Sequence, residues 1–180
     1  MGGAVNRAAF LDLNGTLVVP VTVERLEELA PVPGAADAVA RLCATGFVCP
    51  VVTVQSRIAK GCFSETDFLD WFRGFSDQMQ PAGAYVLGPY VCPHRFSDPC
   101  ACKKPQTLLY ERAAVEHQVD LARSFVIGDT ESDVEAAHRF GGRGCLLRAS
   151  AGGLVAQTET VANYTAVSLA DGVDWVLRQR

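Results

Sequence analysis

Ala8-Ala9-Phe10-Leu11-Asp12-Leu13-Asn14-Gly15-Thr16 is the segment of this 180-residue chain that most strongly indicates its fold. Its apolar run, residues 8–13, predicts a short buried strand, and the polar residues with Gly15 predict that the strand ends in a turn. Because α/β proteins bind ligands at the carboxyl ends of their strands, the carboxylate of Asp12 is a candidate for chemistry.

The rest of the chain alternates between strand and helix patterns. Further strands are predicted at residues 47–54, 84–87, 125–127 and 144–147, and helices at 35–44, from the Ser64-Glu65-Thr66-Asp67 capping box onward, at about 105–116, at 131–139 and at 170–178. Gly152-Gly153 predicts a turn. The alternation predicts an α/β class protein, a Rossmann-like three-layer fold with a central parallel sheet and helices on both faces. We expect one domain over residues 1–180.

Polar residues recur where these elements end. They are Asp12 with Asn14-Gly15-Thr16, Thr53, Lys104, and Asp129 with Asp133. An exposed carboxylate after a strand can attack phosphorus, Mg²⁺ prefers oxygen ligands such as two carboxylates and a main-chain carbonyl, and hydroxyl and ammonium groups can hold phosphoryl oxygens. Taken singly, each residue also fits a structural role: Asp12 in a turn, Lys104 on the surface, and Asp133 in a capping box with Thr130.

The most specific local pattern is a cluster of sulfur and imidazole ligands: Cys92, His94, Cys100 and Cys102. Four such ligands suit tetrahedral Zn²⁺ with no open position, which indicates a structural zinc-binding loop at about residues 90–104. Zinc would order a loop without a core of its own and fix Lys103 and Lys104 over the site. The other cysteines, Cys43, Cys49, Cys62 and Cys145, are predicted to be buried small apolar side chains.

These motifs resemble those of the haloacid dehalogenase superfamily, and more narrowly its D,D-heptose-1,7-bisphosphate phosphatases and histidinol-phosphate phosphatases. The likeness rests on the order Asp12-x-Asn14-Gly15-Thr16, Thr53, Lys104 and Asp129, on Thr53-Val54-Gln55-Ser56, and on Cys92-Pro93-His94 followed by Cys100-x-Cys102. It runs from about residue 8 to 148. The resemblance implies a small zinc-binding loop instead of a large cap.

The resemblance also implies a role for each matching residue. Asp12 would be the nucleophile that forms an aspartyl phosphate, and catalytic Mg²⁺ would bind Asp12, the main-chain carbonyl of Asn14, and Asp129, with possible support from Asp133. Thr53 and Lys104 would act on the transferring phosphoryl group. Gln55, Ser56 and Lys103 would contact the substrate, a small phosphorylated metabolite such as D-glycero-D-manno-heptose 1,7-bisphosphate.

Asn14 departs from the family pattern, since the phosphatases carry an aspartate there that protonates the leaving oxygen and then activates water. An amide does neither, so a rate loss of about 10² to 10⁴ is expected. Val54 and Thr130 depart as well. Open alternatives are an impaired or regulatory relative, a displaced acid/base, a substitution introduced to trap substrate, histidinol phosphate as substrate, and a non-catalytic protein that binds sugar phosphates.

Charge and hydrophobic composition limit which kinds of partner the protein is expected to bind. The formal net charge is −4, so no general attraction to nucleic acid is expected. No apolar run approaches the roughly 20 residues that span a bilayer, and the N-terminus lacks a signal-peptide pattern, so we expect a cytoplasmic protein without membrane contact. We also expect a monomer.

Overall fold

The computed structural model describes residues 5–148 and 161–179, and its centre is a six-stranded parallel sheet. The strands of this sheet are β1 (Arg7–Leu11), β4 (Phe47–Val54), β5 (Val86–Cys92), β6 (Phe125–Gly128), β7 (Arg143–Leu147) and β8 (Tyr164–Ala166), and two short strands, β2 (Val18–Val19) and β3 (Ala30–Pro31), pair antiparallel outside it. The helices are α1 (Ala35–Ala44), α2 (Ser56–Ala59), α3 (Glu65–Met79), α4 (Leu108–His117), α5 (Glu131–Arg139) and α6 (Leu169–Arg178).

The strand order is β5-β4-β1-β6-β7-β8, which is the doubly wound order of a Rossmann-like sheet. The chain reverses its winding between β1 and β6, which are direct neighbours. Residues that follow these two strands therefore meet at the switch point, where ligands bind in this fold. Asp12 follows β1 and Asp129 follows β6.

The core has two halves because successive side chains of a strand point to opposite faces. Ala9 and Leu11 of β1 pack with buried residues of α1, α3 and α6, while Ala8 and Phe10 pack with buried residues of α4 and α5. The predicted three-layer α/β architecture is confirmed. None of the described helices is long and apolar enough to cross a membrane.

Several element boundaries differ from the sequence prediction. The strand predicted at 84–87 runs instead from Val86 to Cys92 and continues through Gly88-Pro89, since a register shift in its pairing with β4 accommodates the proline. The helix predicted from about Pro105 begins at Leu108, because residues 103–106 form a turn closed by Gln106 N–H donating to the Lys103 carbonyl.

Smaller predictions were also corrected or lie outside the described residues. Cys49 and Cys145 are buried as predicted, but Cys43 and Cys62 are partly exposed, since Cys43 lies in the last turn of α1 and Cys62 in the loop between α2 and α3. The strand β8 was not predicted. The turn predicted at Gly152-Gly153 lies outside the described residues.

Candidate active site

The loop after β1 brings the Asp12 side chain to the switch point. Asp12 N–H donates to the Ile127 carbonyl at 3.0 Å, so the backbone continues the pairing between β1 and β6 beyond the strand end. Gly15 has φ of +86°, and a Cβ there would lie 2.1 Å from Asp129 Oδ2. The glycine therefore permits both the turn and the close approach of Asp129.

Lys104 reaches Asp12 from the loop between β5 and α4. Its Nζ donates to Asp12 Oδ1 at 2.6 Å and to Asp133 Oδ1 at 2.5 Å, and all three residues are buried. Asp133 also accepts from Thr130 Oγ1 in a capping box at the start of α5. Asp133 thus caps a helix, which is one of the roles predicted for it, and it also holds the lysine, which was not predicted, while its support of a metal ion stays a prediction. An ammonium has three N–H donors, which leaves one for a ligand.

The electrostatics of the cluster favour a divalent cation. Burial raises the pKa of Asp12 to about 7, although Lys104 opposes the shift, and burial together with Asp133 raises the pKa of Asp129 to about 6. Oxygens of Asp12, Asp129 and Asp133 lie within 4.8 Å of one another. Three ionised carboxylates and one ammonium leave two negative charges, and an all-oxygen donor set of this kind fits Mg²⁺.

A cavity of about 280 Å³ opens above these groups. The predicted site residues that line it are Asp12, Asn14, Thr53, Gln55, Ser56, Lys104 and Asp129. Lys103 and Asp133 are not among the lining residues. The structure therefore brings together seven residues that come from four separate stretches of the sequence.

Gln55 links two of the predicted catalytic residues. Its Nε2 donates to Asn14 Oδ1 at 2.8 Å and to Thr53 Oγ1 at 3.0 Å, which uses both of its N–H groups. Gln55 therefore keeps only its Oε1 for a ligand, and an acceptor suits a sugar hydroxyl and not an ionised phosphoryl oxygen. Thr53 still has its own O–H to donate.

Lys103 does not line the cavity, and its ammonium is held by the loop itself. Its Nζ donates to the main-chain carbonyls of Phe96 and Asp98, both at 2.8 Å. The side chain therefore braces the loop between β5 and α4 in this conformation, and the predicted contact with substrate phosphate stays a prediction.

The sequence analysis missed cavity residues that carry positive charge or an exposed ring. Arg57 and Lys60, in and after α2, line the cavity, and so does Phe96, whose side chain is 72% exposed. The two basic residues follow the carboxyl end of β4 by a few positions. This placement is the sequence signal that could have identified them. No sequence signal indicated Phe96, because its position depends on how the loop folds.

The four predicted zinc ligands converge on one point. Tetrahedral zinc with Zn–S bonds of about 2.3 Å places two sulfurs about 3.8 Å apart. Cys92 Sγ lies 3.7 Å from Cys100 Sγ, and His94 Nδ1 lies 3.6 Å from Cys92 Sγ and 3.2 Å from Cys102 Sγ. These distances fit a tetrahedral ion with three sulfurs and one nitrogen at its corners.

The doubly wound sheet places Asp12 and Asp129 at its switch point, with a buried lysine against the first. A HAD-hydrolase-like family model matches residues 101–171. The D-glycero-beta-D-manno-heptose-1,7-bisphosphate 7-phosphatase of Haemophilus ducreyi is 30% identical, covering 94% of this chain and 98% of the relative. The enzyme of that name from Yersinia pestis is 32% identical, covering 91% and 92%.

A solved structure agrees with these sequence relatives. The D,D-heptose 1,7-bisphosphate phosphatase from B. bronchiseptica, complexed with magnesium and phosphate, is 26% identical with a TM-score of 0.84, covering 97% of this chain and 99% of that one. The chain belongs to the family of D-glycero-D-manno-heptose-1,7-bisphosphate 7-phosphatases.

Proposed function

We propose that this chain is a Mg²⁺-dependent phosphatase that removes the 7-phosphate of D-glycero-D-manno-heptose 1,7-bisphosphate, with Asp12 as nucleophile. The observation that carries the proposal is the Asp12 carboxylate, buried at the switch point, 2.6 Å from Lys104 and within 4.8 Å of the Asp129 oxygens. The names of the relatives support the substrate class.

In this proposal each polar group of the cavity has a separate task. Asp12 attacks phosphorus through the oxygen that Lys104 does not hold, and an aspartyl phosphate forms as the sugar oxygen leaves. The third N–H of Lys104 and the hydroxyl of Thr53 donate to phosphoryl oxygens, where negative charge is spread in the transition state. The acceptor Oε1 of Gln55 receives a sugar hydroxyl.

Asp12, the main-chain carbonyl of Asn14 and Asp129 would hold Mg²⁺, with Asp133 behind them. When bound, the ion neutralises charge on the phosphoryl group and on the carboxylates around it. Substitution at Asn14 changes the side chain and not this carbonyl, so metal binding does not depend on the missing carboxylate.

Asn14 lowers the rate in this proposal. Its Oδ1 is occupied by Gln55 Nε2, so only its amide N–H groups remain, and these neither release a proton to a sugar alkoxide nor accept one from water. Both halves of the reaction therefore proceed without general acid–base help.

The same observation favours a second candidate function. A cavity that holds phosphate through Lys104 and Thr53, yet lacks the acid/base, also suits a protein that binds the sugar phosphate without turning it over. The names of the relatives favour an enzyme, whereas the amide at position 14, which cannot act as an acid or a base, favours a binding protein.

Phosphate release from the heptose bisphosphate and from histidinol phosphate, measured on the purified chain and on Asn14→Asp and Asp12→Asn variants, tests these candidates. We expect slow release from the heptose bisphosphate, faster release by Asn14→Asp, and none by Asp12→Asn. If the unsubstituted chain and Asn14→Asp both bind the substrate tightly but release no phosphate, the protein is a binding protein. If phosphate is released preferentially from histidinol phosphate, that compound is the substrate.

We also propose that the Cys92, His94, Cys100 and Cys102 cluster holds a structural zinc ion and that the protein works in the cytoplasm. The support for the location is chemical: zinc binding needs thiolates, which persist in a reducing compartment and are oxidised elsewhere.

A further inference from the structure

A second concave surface lies at the other end of the sheet, where the strands begin. It is a cavity of about 410 Å³ whose lining includes Arg7, Arg123, Arg143 and Arg178 together with Ser124 and Gln179. Arg7 and Arg143 are the first residues of β1 and β7, and Arg123 lies two residues before the start of β6. Asp12 and Asp129 lie beyond the opposite ends of β1 and β6, so this cavity is separate from the candidate active site.

The arginines of this cavity have no acidic partners within the described residues. No carboxylate of residues 5–148 and 161–179 forms an ion pair with any of the four. Arg25 and Arg73 each pair with a neighbouring acid, and Arg95, Arg112 and Arg148, which lack such a pair within the described residues, do not line this cavity. The concentration of unpaired positive charge is notable in a chain whose formal net charge is −4. Like charges placed together are unfavourable unless a counter-charge joins them.

Arg7 shows the consequence of this crowding. Burial lowers the pKa of its guanidinium, and the charges of Arg123 and Arg143 lower it further. The guanidinium nevertheless stays in place, because it stacks on the Phe47 ring at 4.6 Å from the centroid and donates to the Gln179 carbonyl at 3.0 Å.

Donors remain available for a ligand. Arg7 uses Nε–H toward the Arg123 carbonyl and one Nη2–H toward Gln179, and Arg143 uses one Nη1–H toward Gln179 Oε1 at 2.6 Å. A guanidinium has five N–H groups in a planar fork that matches phosphate oxygens, so each of these side chains keeps at least three. The fixed arginine and its two exposed neighbours form a partly prepared anion site.

We propose that the cavity formed by Arg7, Arg123 and Arg143 binds a small anion with at least two adjacent negative charges, of the diphosphate class. Three guanidinium groups balance more charge than a single phosphate monoester carries. A concave surface of about 410 Å³ suits a small molecule, whereas a nucleic acid would need a basic stripe along the surface. The site is independent of the phosphatase reaction, and Arg178 also lines it.

Isothermal titration with inorganic diphosphate, without added Mg²⁺, tests the proposal. The variant Arg123→Gln/Arg143→Gln removes two exposed guanidinium groups from the cavity, and Arg25→Gln/Arg73→Gln removes the same charge from two exposed positions elsewhere. We expect the cavity variant to bind diphosphate at least about tenfold more weakly, since hydrogen bonds to charged groups are lost, and the control variant to bind like the unsubstituted protein. Equal affinity in all three proteins, or no binding at millimolar diphosphate, overturns the proposal.

A second measurement needs no substitution and separates this cavity from the active site. Modification of arginines by phenylglyoxal, followed by peptide mass spectrometry, should be slowed by diphosphate at Arg123 and Arg143 and left unchanged at Arg25 and Arg73. Protection that appears only at Arg57, which lines the Asp12 cavity, would place diphosphate in the active site and overturn the proposal.

Discussion

Two ligand clusters of this chain are held in place by different means. Asp12 and Asp129 follow strands that are buried on both faces, and Lys104 is fixed between Asp12 and Asp133 by two short ion pairs. The cysteine and histidine cluster instead begins at the end of β5 and continues through a loop with no helix or strand of its own until α4.

The difference shows two ways to organise polar ligands. The sheet orders the carboxylates before any ion arrives, because backbone pairing and core packing fix the strands that carry them. The loop has few buried apolar side chains, so the free energy of metal binding has to order it. We therefore expect substitutions in the carboxylate cluster to alter chemistry or packing, and substitutions in the cysteine cluster to alter metal content and stability.

The largest expected effect tests whether the carboxylate cluster is already organised for catalysis. Asn14→Asp should raise turnover of the sugar bisphosphate by about 10² to 10⁴, because it supplies only the missing acid/base to an otherwise complete site. The carboxylate can still accept from Gln55 Nε2, so the local structure should persist. Asn163→Asp makes the same chemical change at an exposed position and should leave the rate unchanged. A rate equal to that of the unsubstituted chain would mean that the cluster is not organised for this reaction.

Next in size is the contrast between two capping boxes of the same form. Asp133→Asn should lower the free energy of unfolding by about 3–5 kcal/mol, because it removes a buried charge that pairs with Lys104. Asp67→Asn changes the matching box at the start of α3, which is exposed and has no such partner, so its effect should be much smaller. Urea unfolding of both variants measures the difference, and equal losses would contradict the role given to Asp133.

The cysteine cluster gives the third prediction. Cys100→Ser should remove zinc from the protein and lower the free energy of unfolding by about 2–4 kcal/mol, because metal binding and loop ordering are coupled. Elemental analysis should find about one zinc per chain before the substitution. Cys62→Ser serves as the control, since Cys62 belongs to neither cluster, and it should keep both the zinc and the stability. A loop that stays ordered without zinc would contradict this account.

The smallest expected effect concerns Lys103, which the sequence analysis assigns to substrate phosphate and the structure places on loop carbonyls. Lys103→Met should speed amide hydrogen exchange in residues 96–100, because the loop loses two hydrogen bonds. KM for the sugar phosphate should change by no more than about twofold, since a residue that does not contact the substrate contributes nothing to KM. A large rise in KM with unchanged amide hydrogen exchange would show that Lys103 contacts the substrate.

The fold was predictable from sequence because its determinants are local. Helix α1 and strand β4 were placed to the residue by apolar periodicity and by the glycine between them. The end of β5 was not, because Gly88 and Pro89 are turn signals, and only the bulged pairing with β4 keeps them in a strand. Strand β8 was missed because its three residues depend on pairing with β7.

The candidate site was predictable where a residue follows a strand and not where a loop folds back. Asp12, Thr53 and Asp129 could be placed at one edge of the sheet from the strand pattern alone. The ion pair of Asp133 with Lys104 and the hydrogen bonds of Lys103 to loop carbonyls could not, because both depend on how the loop between β5 and α4 folds.

Phosphorylation of Asp12 can be detected with p-nitrophenyl phosphate, because nitrophenolate leaves without protonation while hydrolysis of the intermediate still needs the absent base. After incubation with Mg²⁺ and acid quenching, mass spectrometry should find a phosphoryl group on the peptide that contains Asp12, accompanied by a burst of about one nitrophenolate per chain. The Asn14→Asp variant should hydrolyse p-nitrophenyl phosphate continuously without accumulating the phosphoryl group on Asp12. Nitrophenolate release with no phosphoryl group on that peptide, or the same burst from Asp12→Asn, would contradict the account.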